Sequence, residues 1–119
     1  MRGSGEEDKF QEECVKWLQL QYKKLLYHHS PNGGKRDPRE AAKFKRMGTR
    51  SGCPDLMFYK RSGNYVGLAT ELKRGKNTAT DNQEDFMAEL RKEGWLCVTI
   101  WTMDVFMKTV NDYMRGANN

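Results

Sequence analysis

Two strand-like runs joined by a short polar turn constrain the fold of this chain more than any other feature. Residues 55–60 and 65–73 are rich in the aromatic and aliphatic residues that favour strands, and the four residues between them read Arg-Ser-Gly-Asn. A connection of that length and composition is typical of a β-hairpin. We therefore expect the two runs to be antiparallel neighbours in one sheet.

Periodic apolar residues predict helices before that hairpin. From about residue 6 to residue 27 the apolar residues recur every three or four positions, as in an amphipathic helix. Residues 28–36 predict a loop, because Pro31 blocks a helix and an Asn-Gly-Gly run follows it. Asp37 is then suited to cap a second helix, for which Gly48 supplies a stop.

A third helix, a further strand and a last helix follow the hairpin. Thr80 and Gln83 form a capping-box pattern, and Gly94 is suited to close the helix that they begin. Residues 95–101 predict a buried strand and residues 104–115 an amphipathic helix. The predicted order is α-α-β-β-α-β-α, which makes this an α/β chain with a mixed (α+β) sheet.

Length and composition favour one domain. A chain of 119 residues has material for a single core, which we place at residues 6–116, with flexible termini at 1–5 and 117–119. The three cysteines are odd in number and lack CxxC spacing, which argues against a disulfide framework or a structural zinc site. No apolar run is long enough to span a membrane and no leader is evident, so we expect a cytoplasmic protein.

Basic residues gather in the middle of the chain. Lys and Arg outnumber Asp and Glu by 21 to 16, and the excess is concentrated between residues 35 and 50. Such a patch attracts nucleic acid through its phosphates, although a solvated helix face has the same composition. The predicted DNA-binding residues are Lys35, Arg36, Arg39, Lys43, Lys45, Arg46, Arg50, Arg74 and Lys76.

Two acids and a lysine are expected to converge at one end of the hairpin. Glu71 and Lys73 lie two residues apart on a strand and so project from the same face, and Asp55 opens the neighbouring strand. Two carboxylates held this close repel each other unless a cation such as Mg²⁺ or Mn²⁺ lies between them. This is chemistry suited to phosphodiester hydrolysis, although a surface turn with a cross-strand ion pair would place the same residues.

Several features follow one another in an order typical of one nuclease family. They are Glu7 and Gln11, residues 29–34 (His-Ser-Pro-Asn-Gly-Gly), residues 52–56 (Gly-Cys-Pro-Asp-Leu), residues 67–73 (Gly-Leu-Ala-Thr-Glu-Leu-Lys) and Gln83. This set resembles the virus-type replication-repair nuclease (VRR-NUC) domain of the PD-(D/E)XK superfamily. The resemblance extends from residue 7 to about residue 101.

The resemblance implies a role for individual residues. Asp55 and Glu71 would be metal ligands, Lys73 the catalytic lysine, and Mg²⁺ or Mn²⁺ the cofactor. Glu7 would reach the metal site from the first helix as a further acidic ligand and catalytic residue, and Gln83 would assist catalysis from the third. Each of these last two has an alternative: acidic residues favour a helix N-terminus, and Gln83 can simply cap its helix.

The resulting hypothesis is a metal-dependent, structure-specific DNA endonuclease acting on branched DNA such as four-way (Holliday) junctions, in bacterial or phage repair and recombination. A symmetric junction needs two cuts, so we expect a homodimer. The last helix offers apolar surface for it at Val105, Phe106, Met107, Val110, Tyr113 and Met114. His29 is expected to position the backbone or contact phosphate. The alternatives are a non-catalytic nucleic-acid-binding module and a sequence-specific restriction-type endonuclease on the same core.

Overall fold

A four-stranded sheet with the hairpin at its centre organises the protein. The computed structural model describes residues 4–31 and 37–117. Within them lie α1 (Ser4–Gln21), β1 (Tyr27–His29), α2 (Pro38–Arg46), β2 (Leu56–Phe58), β3 (Gly67–Leu72), α3 (Asp81–Lys92), β4 (Trp95–Ile100) and α4 (Met103–Arg115). The strand order is β1-β2-β3-β4. The predicted antiparallel pairing of β2 with β3 is confirmed, and β4 adds to β3 in parallel.

The first helix and the segment after it differ from the prediction. α1 ends at Gln21 rather than near residue 27, and the expected loop contains the short strand β1, whose residues pair with β2. The chain turns between Tyr22 and Leu25, where the Leu25 N–H donates to the Tyr22 carbonyl at 3.2 Å. The open edge of β2 supplies the backbone partners for β1, which a helical periodicity in the sequence does not reveal.

Helices cover both faces of the sheet. On one face α1 and α4 bury the main core, which consists of Phe10, Cys14, Leu18, Leu56, Phe58, Leu68, Leu72, Ile100, Phe106, Val110 and Tyr113. On the other face α3 covers a smaller cluster of Met57, Ala69, Met87 and Cys97. Alternate residues of β3 therefore enter different layers, as expected for a strand.

Local capping signals fix the helices that flank the site. Thr80 and Gln83 form the predicted reciprocal capping box at the start of α3. At α2, Asp37 caps the helix by accepting a hydrogen bond from the Arg39 N–H at 2.9 Å. Gly48 follows that helix with φ of 108°, a conformation that favours glycine. In the part of the chain that the structure describes, no helix combines the length and apolar character needed to cross a bilayer.

The apolar residues of α4 are used mainly inside the fold. Phe106, Val110 and Tyr113 are fully buried, and the Tyr113 hydroxyl donates to the Lys60 carbonyl at 2.5 Å. Val105 is 47% exposed. Phe106, Val110 and Tyr113 therefore face the core and offer no surface to a partner, whereas Val105 remains exposed on the helix.

The remaining sequence expectations concern the cysteines and the chain ends. Cys14 and Cys97 are buried, and Cys53 is half-buried in the turn before Asp55. Residues 1–3 and 118–119 of the expected flexible termini lie outside the described residues, as do Lys35 and Arg36.

Candidate active site

Asp55, Glu71 and Lys73 meet on the α3 side of the sheet. The antiparallel register of β2 and β3, continued by one residue, puts Asp55 opposite Glu71. Asp55 Oδ2 accepts a hydrogen bond from the backbone N–H of Leu72 at 2.7 Å, and Lys73 Nζ lies 3.4 Å from Glu71 Oε2. The structure therefore brings together the three residues that the hairpin argument singled out.

The two carboxyl groups are held in an environment that disfavours their charged forms. Glu71 is only 1% exposed, and burial, followed by the charge of Asp55, raises the pKa of Glu71 to about 8 while Lys73 acts in the opposite direction. Burial also raises the pKa of Asp55, against the lowering effects of the Leu72 N–H and the charges of His29 and Lys73. A positive charge near both carboxylates would relieve this cost.

The residues present fit a hard divalent cation. Glu71 Oε1 is buried and has no hydrogen-bond partner among the described residues, although its other oxygen lies near Lys73. Oxygen ligands are those that Mg²⁺ and Mn²⁺ prefer, and Mg²⁺ commonly binds one or two carboxylates while keeping several waters. Over residues 4–31 and 37–117, no three His, Cys, Asp or Glu side chains gather into a metal-binding group. Asp55 and Glu71 are thus the pair that would hold the ion.

His29 supports the turn that presents Asp55. Its Nδ1 lies 2.8 Å from the Asp55 carbonyl oxygen, a contact in which the ring N–H donates. The side chain is otherwise exposed, at the end of β1 next to β2. This contact fits the backbone-positioning role expected of His29, and its contact with phosphate stays a prediction.

Glu7 reaches this region from α1 but does not join the carboxylate pair in a three-acid group. Its Oε2 accepts a hydrogen bond from Asn77 Nδ2 at 2.8 Å, and the Asn77 carbonyl accepts one from Trp101 Nε1 at 2.7 Å. The charge of Glu7 contributes to the raised pKa of Asp55, so the two are electrostatically linked. Sequence reasoning missed Asn77, because no local pattern relates it to a residue in the first helix.

Gln83 uses both backbone and side chain at the start of α3. Its Oε1 accepts a hydrogen bond from the Thr80 N–H at 2.8 Å, and its own N–H donates to Thr80 Oγ1 at 3.2 Å. The helix-capping interpretation of this residue is thereby confirmed. In this conformation the side chain is committed to the helix terminus rather than to the carboxylates.

The predicted basic residues fall into two structural groups. Arg39, Lys43, Lys45, Arg46 and Arg50 are all exposed on α2 and the segment that follows it, and Lys76 is exposed beyond β3.

Arg74 differs from the other basic residues because it is half-buried. Its Nη1 donates to the Trp101 carbonyl at 3.1 Å, and its guanidinium carbon lies 5.0 Å from the centre of the Phe10 ring. The exposed group is thus available to a ligand, whereas Arg74 braces α1 against the end of β4.

A Pro-Asp turn followed by Glu-x-Lys on the next strand, carried by this α/β fold, is the arrangement typical of the PD-(D/E)XK nuclease superfamily. The VRR-NUC domain matches residues 5–100, and the chain belongs to the VRR-NUC family. A solved structure described as a VRR_NUC domain protein is 35% identical, with a TM-score of 0.79, over 92% of this chain and 88% of that chain. No curated protein matches the chain.

Proposed function

We propose that this protein is a Mg²⁺- or Mn²⁺-dependent endonuclease that hydrolyses phosphodiester bonds in branched DNA. The observation that carries the proposal is the buried Glu71 carboxylate beside Asp55 and Lys73, one oxygen of which has no hydrogen-bond partner among residues 4–31 and 37–117. Keeping two acids and a lysine together in a poorly solvated site costs stability. An arrangement kept at that cost indicates a functional use. A module that only binds DNA has no need of negative charge there.

The roles of the residues follow from their positions. Asp55 and Glu71 would hold the ion, which when bound would polarise the phosphodiester and lower the pKa of a nearby water. Lys73, 7% exposed and fixed near Glu71, supplies positive charge to the phosphate as negative charge builds up in the transition state. A water oxygen would bond to phosphorus and release a proton to solvent, while the bond to the leaving sugar oxygen breaks and that oxygen takes up a proton from solvent. Exposed α2 cations would bind the backbone leading to the site.

The preference for branched DNA and a two-fold assembly belong to the same proposal. The described part of each chain carries one carboxylate site, whereas a four-way junction requires two symmetric cuts, which a homodimer supplies. Phe106, Val110 and Tyr113 of α4 are buried in the core and so cannot contribute to a dimer interface. Exposed apolar side chains remain at Leu20 (71%) and Leu26 (66%), beside the half-exposed Tyr59, where they line a groove of about 560 Å³.

A cleavage panel tests the proposed activity. The full chain is incubated with linear duplex, flap, splayed-arm and four-way DNA, with Mg²⁺, with Mn²⁺ or with EDTA. We expect metal-dependent cleavage of the branched substrates, lost by at least about 100-fold in Glu71→Gln and Lys73→Met and retained in the surface control Lys92→Met. Undiminished cleavage in EDTA, or by folded Glu71→Gln, would refute the proposed mechanism.

Two further measurements address specificity and assembly. Equal cleavage of linear and branched duplexes would refute the structural preference. Light scattering at micromolar concentration, alone and with junction DNA bound to Lys73→Met, is expected to give two chains per particle. A monomer under both conditions would refute the two-fold assembly and leave the metal-dependent cleavage standing.

A further inference from the structure

A wide cleft separates α2 from α3 and lies outside the carboxylate site. It has a volume of about 1060 Å³ and is bounded on one side by α2 and on the other by the outer face of α3. Its floor includes Ser51, whose hydroxyl accepts a hydrogen bond from Asn82 Nδ2 at 3.2 Å. Clefts of this size commonly hold small organic ligands.

Aromatic surface is present on both walls of the cleft. Phe44 lines it from α2 and Phe86 lines it from α3, and both rings are half-buried. The guanidinium carbon of Arg50 lies 5.4 Å from the centre of the Phe86 ring. Aromatic rings and guanidinium planes are both surfaces on which unpaired nucleobases stack.

The charges of the two walls differ in sign. Lys45 lines the cleft from α2 and Arg50 from the segment after it, whereas Asp85 and Glu89 line it from α3. A phosphate is attracted to the first pair and repelled by the second. Carboxylates accept hydrogen bonds from base N–H groups. The charges therefore favour a bound nucleotide whose phosphate lies toward α2 and whose base edge lies toward α3.

We infer that this cleft binds one unpaired nucleotide of the DNA strand, with its base stacked at Phe86 and Arg50. The inference rests on the proposed nuclease function and adds a feature of the substrate, an unpaired base near the cut. Only three residues separate Ser51 in the cleft from Asp55, so the two positions lie within about 14 Å along the chain. A DNA strand bound in the cleft is therefore close to the Asp55 and Glu71 carboxylates.

Binding measured with single abasic substitutions tests the site. Branched DNA with a single-stranded arm is titrated with the full chain in EDTA, and each unpaired position near the branch is made abasic in turn. At one position the wild type should lose about 5- to 150-fold in affinity, the equivalent of one stacked base. Phe86→Leu, which keeps apolar volume, should bind the intact DNA more weakly and lose most of its sensitivity to the abasic position.

A matched pair of charge variants separates base recognition from general electrostatics. Asp85→Asn, inside the cleft, should reduce the ratio of affinities for intact and abasic DNA, whereas Glu84→Gln, an exposed neighbour outside it, should leave that ratio unchanged. Both remove one negative charge from α3. Binding with no abasic-sensitive position, or with the same sensitivity in Phe86→Leu as in wild type, would overturn this inference alone. Failure to bind or cleave any DNA would overturn it together with the proposed function.

Discussion

The backbone N–H of Leu72 donates a hydrogen bond to the Asp55 carboxylate across the hairpin, at 2.7 Å. Leu72 lies between Glu71 and Lys73, so the strand that carries two residues of the site also holds the third in place. This bond depends on a side-chain oxygen at position 55 but not on its charge. Structural and catalytic roles of Asp55 can therefore be separated.

The Asp55→Asn variant should keep its fold and lose the ability to bind the metal ion. An amide oxygen can still accept the Leu72 N–H bond, so the free energy of unfolding should stay within about 1 kcal/mol of wild type. Asp55→Ala leaves a buried N–H without a partner and should cost about 1–3 kcal/mol. Denaturant unfolding in EDTA measures both. Stabilisation by added Mn²⁺ should be absent from each variant, and its persistence in Asp55→Asn would remove Asp55 from the ligand set.

Stability of the metal-free protein should depend on the protonation of Glu71. Its pKa in the folded protein is about 8, above the ordinary value of 4.5, so folding favours the protonated carboxyl. The resulting stability is fully present below about pH 4.5 and is lost as the pH rises through 8. In EDTA, wild type should therefore lose stability from pH 5 to pH 9 relative to Glu71→Gln.

Bound cation should reverse this pH effect in the wild type. Metal ligation needs the ionised carboxylate, so the affinity for Mg²⁺ should rise over the same pH range. At pH 9, a concentration about 100 times the dissociation constant should stabilise wild type by about 2.7 kcal/mol and leave Glu71→Gln unchanged. Parallel pH profiles of the two proteins in EDTA would contradict the assignment of the raised pKa to this residue.

The convergence of Asp55, Glu71 and Lys73 could be predicted because it follows from local rules. Alternation along a strand puts Glu71 and Lys73 on one face, and a short turn forces the neighbouring run to pair in antiparallel register. The capping box of Thr80 with Gln83 is equally local, which is why the start of α3 is where the sequence indicated it.

Features that depend on tertiary contacts could not be predicted in this way. The three residues of β1 are too few for a periodic signal, and they become a strand because β2 has an open edge. Apolar periodicity on α4 identified an apolar face without indicating whether the core or a partner covers it. The contact between Asn77 and Glu7 joins residues 70 positions apart and has no sequence signature.

That contact predicts a positioning role for Asn77. If Glu7 acts at the metal site, the Asn77→Ala variant, which removes the hydrogen-bond donor to Glu7, should lower the cleavage rate by about 10- to 100-fold. Loss of a residue that orients a metal ligand has an effect of this size. Glu7→Gln combined with Asn77→Ala should then be no worse than Glu7→Gln alone. Thr78→Ala, an exposed neighbour, is the control. Full additivity of the two effects on the rate and on Mn²⁺ affinity would assign Asn77 a purely structural role.

Charge reversal on α2 should weaken DNA binding and reduce the dependence of its affinity on salt concentration. Lys43 and Arg46 are exposed on this helix, and each lost phosphate contact should reduce the slope of log affinity against log salt by about one unit. Lys43→Glu with Arg46→Glu is compared with the double variant Lys92→Glu with Lys108→Glu, which changes the net charge equally. An identical salt slope in wild type and the α2 variant would make α2 a solvated face.

Gly52 allows the turn that precedes Asp55 to pack closely against α3. Its φ of +91° favours glycine, and a Cβ there would lie 2.3 Å from the Asn82 backbone oxygen, so the turn before Asp55 packs directly on the first turn of α3. Gly48 is a matched control, since its φ is +108° but nothing lies within 4 Å of its Cβ position.

Gly52→Ala should therefore cost distinctly more stability than Gly48→Ala. Both variants carry the left-handed backbone strain of about 1–2 kcal/mol, but Gly52→Ala must also push two backbone segments apart. Neither backbone segment can move aside as a flexible side chain would, so we expect the turn and Asp55 to shift and cleavage to fall by about 100-fold, the scale of a 1 Å misplacement at a reacting centre. Thermal unfolding and single-turnover cleavage are measured on both variants. Equal losses of stability, or full cleavage by Gly52→Ala, would mean that the packing of this turn on α3 does not hold Asp55 in place.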